Sequence, residues 1–202
     1  MVRRGEVYEN PVTGERVVIR LGTQETGGER LIADIYARPG AAVPGEHVHP
    51  SVDETFTILK GRVGFSIDGR KSIAEAGQTL HVPRGVVHGW WNAGDGEAHI
   101  VVEVTPGARF VKMVLNLFGL AQDGRTDKKG MPDLLQLALL TREFGDVIRF
   151  TWPPRPVQRA LFGFLAPVAR LRGYRGSYPK YETRPPMHVL SEESPGLMPL
   201  AS

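Results

Sequence analysis

Two histidines stand one residue apart, at His47 and His49. On a strand, residues two apart point to the same face, so both imidazoles can reach one ion. The turn-forming stretch Pro50-Ser51-Val52-Asp53 follows, and Glu54 then opens the apolar run Thr55–Leu59, which Gly61 ends. A carboxylate among apolar residues needs a partner, because burying a bare charge is costly. A metal ion would supply one; a surface position beside the turn is the competing assignment. The second cluster is Gly77, Pro83, Gly85, His88 and Asn92. Gly77 permits a tight turn before Thr79–Val82, and Pro83 and Gly85 bend the chain out of that strand. His88 is expected on the next strand, with Asn92 opening the following turn.

The elements that must position these groups read as strands up to about residue 106. Short β-rich runs recur at Arg16–Leu21, Arg30–Ala37, Glu54–Leu59, Arg62–Ile67, Thr79–Val82 and His99–Val104. Such spacing predicts a sandwich or barrel. Asp68-Gly69 and Gly94-Asp95-Gly96 are hairpin-turn signals. From Ala108 the pattern becomes helical. Phe110, Val114, Leu117 and Phe118 fall at helical spacing, Leu134–Leu140 is apolar on almost every side, and Val157, Leu161, Phe164, Leu165 and Val168 share a face. Pro132 and Pro156 mark helix starts, and Pro167 is expected to kink or end the last helix. Residues 1–106 are read as the barrel, 107–173 as a helical extension, and 174–202 as an extended Pro-rich arm. The helices are expected to pack on the barrel or on a partner chain.

The two clusters together resemble the paired signature of the cupin superfamily. His-x-His, four residues, Glu, six residues, Gly is met by His47, His49, Glu54 and Gly61. The second half is met at Gly77, Pro83, Gly85, His88 and Asn92. Gly40 is one position off the usual spacing of the upstream family glycine. The helical half is similar to the tail of many bacterial single-cupin proteins. The resemblance implies a mainly β fold, an antiparallel double-sheet jelly-roll barrel with a C-terminal α-helical extension. It also implies one divalent transition metal per chain, held by His47, His49, Glu54 and His88.

Mixed N/O ligands suit Fe, Mn, Ni, Co, Cu or Zn, and affinity order alone does not choose among them. Three neutral imidazoles and one carboxylate leave a divalent ion with a net charge of about +1, which favours a monoanionic chelator as small-molecule ligand. The ligand set resembles that of cupin dioxygenases, so dioxygenation of an aromatic or enol-type substrate is the leading expectation. Oxygen-independent isomerisation or decarboxylation and non-catalytic ligand binding are the alternatives. Glu54 is also a candidate proton carrier. By strand parity Phe56 and Ile58 share the face of Glu54, and Trp90 that of His88. These three are the candidate substrate-binding wall, with ordinary barrel core as the competing assignment for Phe56 and Ile58. Trp91 should point the other way. His81 is either a residue that orients a ligand or an ordinary strand histidine. His99 and Glu103 either line the cavity or lie on the sheet surface.

The chain has no cysteine, which excludes disulfides and thiolate sites and suits a reducing, cytoplasmic location. The first residues carry charge with no apolar run behind them, so no secretory signal is expected there. The 25 basic and 22 acidic residues are read as mixed along the chain, which argues against a nucleic-acid partner. No apolar stretch approaches a membrane span, so no membrane partner is expected, and the arginines of the last third are read as solvated faces, with a membrane-surface role the lesser alternative. The apolar surplus in Leu134–Leu140 and around Leu161, Phe164 and Val168 predicts a homodimer.

Overall fold

In the computed structural model, residues 1–191 are described. Ten strands precede the first long helix. They are β1 (Glu6–Asn10), β2 (Glu15–Leu21), β3 (Leu31–Ala37), β4 (His47–Val48), β5 (Asp53–Lys60), β6 (Arg62–Ile67), β7 (Arg70–Glu75), β8 (Thr79–Val82), β9 (Val87–Asn92) and β10 (Ala98–Thr105). Then come α1 (Ala108–Gln122), α2 (Leu134–Glu143), β11 (Arg149–Phe150), α3 (Arg155–Leu171), α4 (Pro179–Glu182) and β12 (His188–Val189). Two antiparallel sheets result, in the orders β12-β1-β2-β3-β10-β5-β8 and β11-β4-β9-β6-β7. Their faces enclose the core in jelly-roll fashion, and the fold is mainly β.

Alternation decides which side chains face inward. Along β10, Ala98, Ile100, Val102 and Val104 are buried while the residues between them are more exposed. Along β5, Glu54, Phe56 and Ile58 are buried and face Val104, Val102 and Ile100 across the ladder. The carboxylate thus shares its face with apolar side chains. The β6–β7 hairpin closes through Asp68 and Gly69, both at positive φ, the two-residue turn whose twist matches the strands. Asn92 joins the sheets at the end of β9. Its amide nitrogen donates to the carbonyls of Ala37 and Gly96, and its oxygen accepts from the Gly94 amide. Gly94–Gly96 therefore forms a sheet-to-sheet crossing rather than a hairpin. The one-residue strand differences and the unpredicted β1 and β7 reflect polar composition: β7, Arg-Lys-Ser-Ile-Ala-Glu, is an exposed edge strand with little apolar signal.

Trp91 does point away from Trp90 and lies over Gly64, its cross-strand partner. A Cβ added at Gly64 would stand 2.1 Å from the Trp91 ring. Gly64→Ala should therefore destabilise the chain by about 1–3 kcal/mol, the usual cost of forcing atoms into a packed site. An unchanged urea midpoint would show that the indole moves aside freely.

The helices pack on their own barrel. Val111, Met113, Leu115 and Leu120 of α1 and Leu140 of α2 join the barrel core. Asp133 caps α2 by accepting from the Leu135 and Gln136 amides. Leu137, Ala138 and Leu139 are covered by Phe162, Ala166 and Ala169 of α3, so this apolar segment is largely consumed within the chain. The expectation that Pro167 kinks or ends the helix is corrected at least as to its end, since α3 continues to Leu171. Pro167 and Gly163, whose carbonyl loses its partner, both lie on the exposed side of the helix. The arm is less extended than expected. It forms α4, places Tyr181 against α1, and adds β12 to the edge of β1. Residues 192–202 of the expected arm lie outside the described residues.

Candidate metal centre

His47 comes from β4, Glu54 from β5 and His88 from β9, with His47 directly opposite His88 in the ladder. His49 follows β4, and its carbonyl accepts from the Gly85 amide at 2.8 Å, where Gly85 turns at positive φ. All four side chains are buried, and one ligand atom from each lies within 4.8 Å of every other.

The histidine hydrogen bonds settle which nitrogen is free. The Nδ1 atoms of His47, His49 and His88 lie 3.2, 2.6 and 3.0 Å from the carbonyls of Gly45, Val147 and Val86. A carbonyl only accepts, so each Nδ1 carries the proton and each Nε2 keeps its lone pair when the ring is neutral. Outer hydrogen bonds of this kind orient metal-binding imidazoles. The His88 Nε2 lies 2.8 Å from a Glu54 oxygen, and the His49 Nε2 3.5 Å from the same atom.

Burial drives the His47 pKa down to about 3, assisted by the neighbouring His49 and His88, and burial also lowers His49. Burial pulls on His88 in the same direction, but the Glu54 hydrogen bond and charge outweigh it and the net shift is upward. For Glu54, burial pushes upward, and the surrounding histidines more than reverse it. Two imidazoles are thus held neutral beside a carboxylate held charged. This donor chemistry fits a divalent ion of the N/O class.

The helical region completes the centre. Val147, just beyond α2, holds His49. The Phe110 ring of α1 stands edge-on to His49 with centroids 5.4 Å apart, and Phe150 pairs with His47 across β11 and β4. The donors face a cavity of about 150 Å³ whose walls include Phe56, Trp90 and Phe110. A void of that size accepts a benzene-sized molecule.

Ile58 does not line this cavity, which corrects its assignment to the wall. It lies two residues beyond Phe56, about 7 Å further along the strand, and is fully buried in the core. His81 is exposed, with Nδ1 3.0 Å from the Thr55 hydroxyl, and orients none of the four donors. His99 lies outside the cavity, bonded to Asp34 and stacked on Tyr36. Asp34 also receives two hydrogen bonds from Arg20.

One chemically capable group carried no signal in the sequence reading. Glu15 opens β2 and lines the same cavity, with one oxygen accepting from the Thr13 hydroxyl at 2.5 Å. Burial raises its pKa to about 7, against a smaller opposing effect of that hydrogen bond. In sequence it is an ordinary strand-edge glutamate; only the helical cover makes its surroundings dry.

A two-sheet barrel with three histidines and a glutamate converging inside it defines a jelly-roll barrel with a candidate metal site. Residues 35–104 match the family model described as Cupin domain, so this part of the chain is a cupin domain. Over 92 residues it is 35% identical to oxalate oxidase 1 of Hordeum vulgare, covering 40% of this chain and 44% of that protein. Over 69 residues it is 35% identical to polyketide synthase CurC of Streptomyces cyaneus, covering 34% of this chain and 44% of that protein. The match thus spans less than half the length of either relative. A predicted oxalate decarboxylase of Thermotoga maritima aligns with a TM-score of 0.45 at 23% identity, over 52% of this chain and 99% of that one.

Proposed function

We propose that the protein is a metal-dependent enzyme acting on a small organic molecule, and that its reaction is dioxygenation of an aromatic or enol-type substrate. His47, His49, Glu54 and His88 would hold one divalent transition ion. When bound, such an ion supplies Lewis acidity and, if redox-active, electrons for oxygen chemistry. Phe56, Trp90 and Phe110 exclude water from the donors and offer flat apolar faces to a ring or enol. Glu15 lines the same space, and a carboxyl with a pKa of about 7 can give or take a proton near neutrality.

The observation that carries this reading is the chemistry of the cavity. Its lining has no lysine or arginine among the described residues. The relatives named oxalate oxidases act, by that name, on oxalate, which is a dianion. A dianion in this cavity would have one carboxylate at the metal and none of its second charge matched, at a high desolvation cost. A monoanionic phenolate or enolate matches the +1 site and the apolar walls together.

The test is an oxygen-electrode screen of phenols, enols and oxalate with Fe-, Mn-, Ni- and Co-loaded protein. Oxygen uptake matched to loss of a phenol or enol is expected. Trp90→Ala should raise KM several-fold with metal content unchanged. Turnover independent of oxygen would transfer the protein to isomerase or decarboxylase chemistry. Preferred turnover of oxalate would overturn the substrate class, and tight binding without turnover under every metal would make it a binding protein.

A further inference from the structure

The cavity beside the donors has a second polar end. Asn10 ends β1, Glu15 opens β2, and the two are direct partners in the ladder. Residues paired in this way leave the same face of the sheet, with Cβ atoms about 5 Å apart. Both line the cavity and both are buried, Asn10 at 5% exposure and Glu15 at 9%. The Asn10 Oδ1 accepts from the Val12 and Thr13 amides at 3.1 and 3.2 Å. A side-chain amide nitrogen cannot accept those bonds, so the amide orientation is fixed and Nδ2 is left over. One Glu15 oxygen accepts from the Thr13 hydroxyl. Among the described residues, neither Asn10 Nδ2 nor the other Glu15 oxygen has a hydrogen-bond partner. Buried polar groups are nearly always paired, so what completes these two comes from within the cavity.

This pair and the metal donors stand at different ends. His88 is near the start of β9, whereas Glu15 adjoins its far end. Glu15 pairs with Ala37, where the chain leaves β3 and crosses to the other sheet, and Ala41 then bridges to Trp91. A Cβ added at Gly14 would stand 3.7 Å from the Ala41 side chain, which puts the start of β2 beside that crossing. Three strand residues separate His88 from Trp91, about 10 Å, with Trp90 of the cavity wall between them. An amide N–H beside a carboxyl asks for a group that accepts and donates at once, and a hydroxyl is the smallest such group. Burial holds the Glu15 carboxyl near 7, so close to neutrality it can take either part in that bond. An ammonium has donors only and leaves Asn10 Nδ2 unpaired. A second anion meets no lysine or arginine in the lining among the described residues.

We propose that Asn10 and Glu15 are specificity-determining residues that bind a hydroxyl carried at the end of the substrate remote from its chelating group. This assignment rests on the chelating phenol or enol proposed above as substrate, and narrows it to molecules polar at both ends and apolar between them. Phe56 and Trp90 then face the apolar middle.

The test is calorimetric titration of the full-length, zinc-loaded protein, in which binding is read without oxygen chemistry. Three compounds share one chelating ring: 4-hydroxymethylcatechol, 4-ethylcatechol and 4-aminomethylcatechol. The first should bind about tenfold tighter than the second, the worth of a net hydrogen bond, and tighter than the third. Glu15→Gln keeps a group that accepts and donates, and should keep the preference. Glu15→Leu should bring the ratio of hydroxymethyl to ethyl affinity down to one or below, with metal content unchanged. A residue that only supports the fold would weaken both ligands alike. If Glu15→Leu does not fold, the wild-type ratio and its retention in Glu15→Gln carry the test. Equal binding of the hydroxymethyl and ethyl compounds by the wild type would overturn the proposal and leave the chelating site standing. So would a preference that survives Glu15→Leu, or tightest binding of the aminomethyl compound, which would mark a cation site. Binding of none of the three would remove the chelating phenol as substrate class, and this assignment with it.

Discussion

Replacing His88 by alanine should take the metal content from one ion per chain to near none and destabilise the metal-free protein as well. The first effect follows from losing one of four donors at a centre with no fifth His, Cys, Asp or Glu grouped beside it among the described residues. The second follows from Glu54. Its nearest partner is the His88 Nε2 at 2.8 Å, and without it the closest remaining partner of the buried carboxylate is the His49 Nε2, at 3.5 Å. Removing one member of a buried charged pair costs about 3–5 kcal/mol, because the survivor is left in a dry site. Glu54→Gln should weaken metal binding with a smaller loss of stability, since no bare charge remains. Metal content by mass spectrometry and urea unfolding after chelation measure the two effects separately. Full occupancy in the His88→Ala variant would remove it from the centre.

The same pair sets the pH dependence of binding. His88 is the one histidine of the three whose pKa is raised, while His47 and His49 are lowered. In the metal-free chain, a raised pKa means that the His88–Glu54 ion pair stabilises fully below the ordinary histidine range. That contribution fades as pH rises through the raised value. Metal needs the imidazole neutral, so it competes with this one proton. Affinity should climb about tenfold per pH unit below that value and then level off. A slope corresponding to two or three protons would show that the other histidines are also charged in the metal-free centre.

The four donors were readable because each is tied to a local backbone requirement that sequence displays. His47 and His49 share a face by strand parity, Gly85 must turn at positive φ, and Asn92 must bridge the sheets with both ends of its amide. Phe56 and Trp90 followed from parity as well. Ile58 obeyed parity yet missed the cavity, since alternation fixes which face a side chain takes and not how far along the strand the cavity reaches. What could not be read was the contribution of sequence-distant segments. The Val147 carbonyl that orients His49 comes from 98 residues away. Phe110 reads as a helix-face residue until α1 is laid across the barrel. The same limit affected the homodimer expectation. Its leucine-rich half, Leu134–Leu140, is consumed by packing within the chain from Leu137 to Leu140 while Leu134 is exposed, and of the α3 half Phe164 is exposed while Leu161 and Val168 are half-buried.

Glu15 supplies the other large effect. Glu15→Gln should stabilise the protein at neutral and alkaline pH, and the gain should vanish in acid. The folded chain raises this carboxyl from 4.5 to about 7, chiefly by burial. Between those values the native state holds a proton that the unfolded chain releases, so wild-type stability falls as pH rises through the window. Each pH unit is worth about 1.4 kcal/mol, so the whole window amounts to about 3 kcal/mol. Glutamine keeps the size of the side chain, has an amide that can still bond Thr13, and carries no charge to bury. The difference between variant and wild type should be close to zero near pH 4.5, where both side chains are neutral, and grow to about 3 kcal/mol above pH 7. For a chain of this length that is a rise in Tm of about 6–12 °C. Taking the difference between the two proteins at each pH cancels the titration of the histidines they share. If Glu15 also moves a proton in the reaction, glutamine should remove an ionisation near neutrality from the kcat/KM profile while the metal stays bound. A melting difference that is constant across pH would show that the Glu15 carboxyl titrates normally, through contact with water in the cavity.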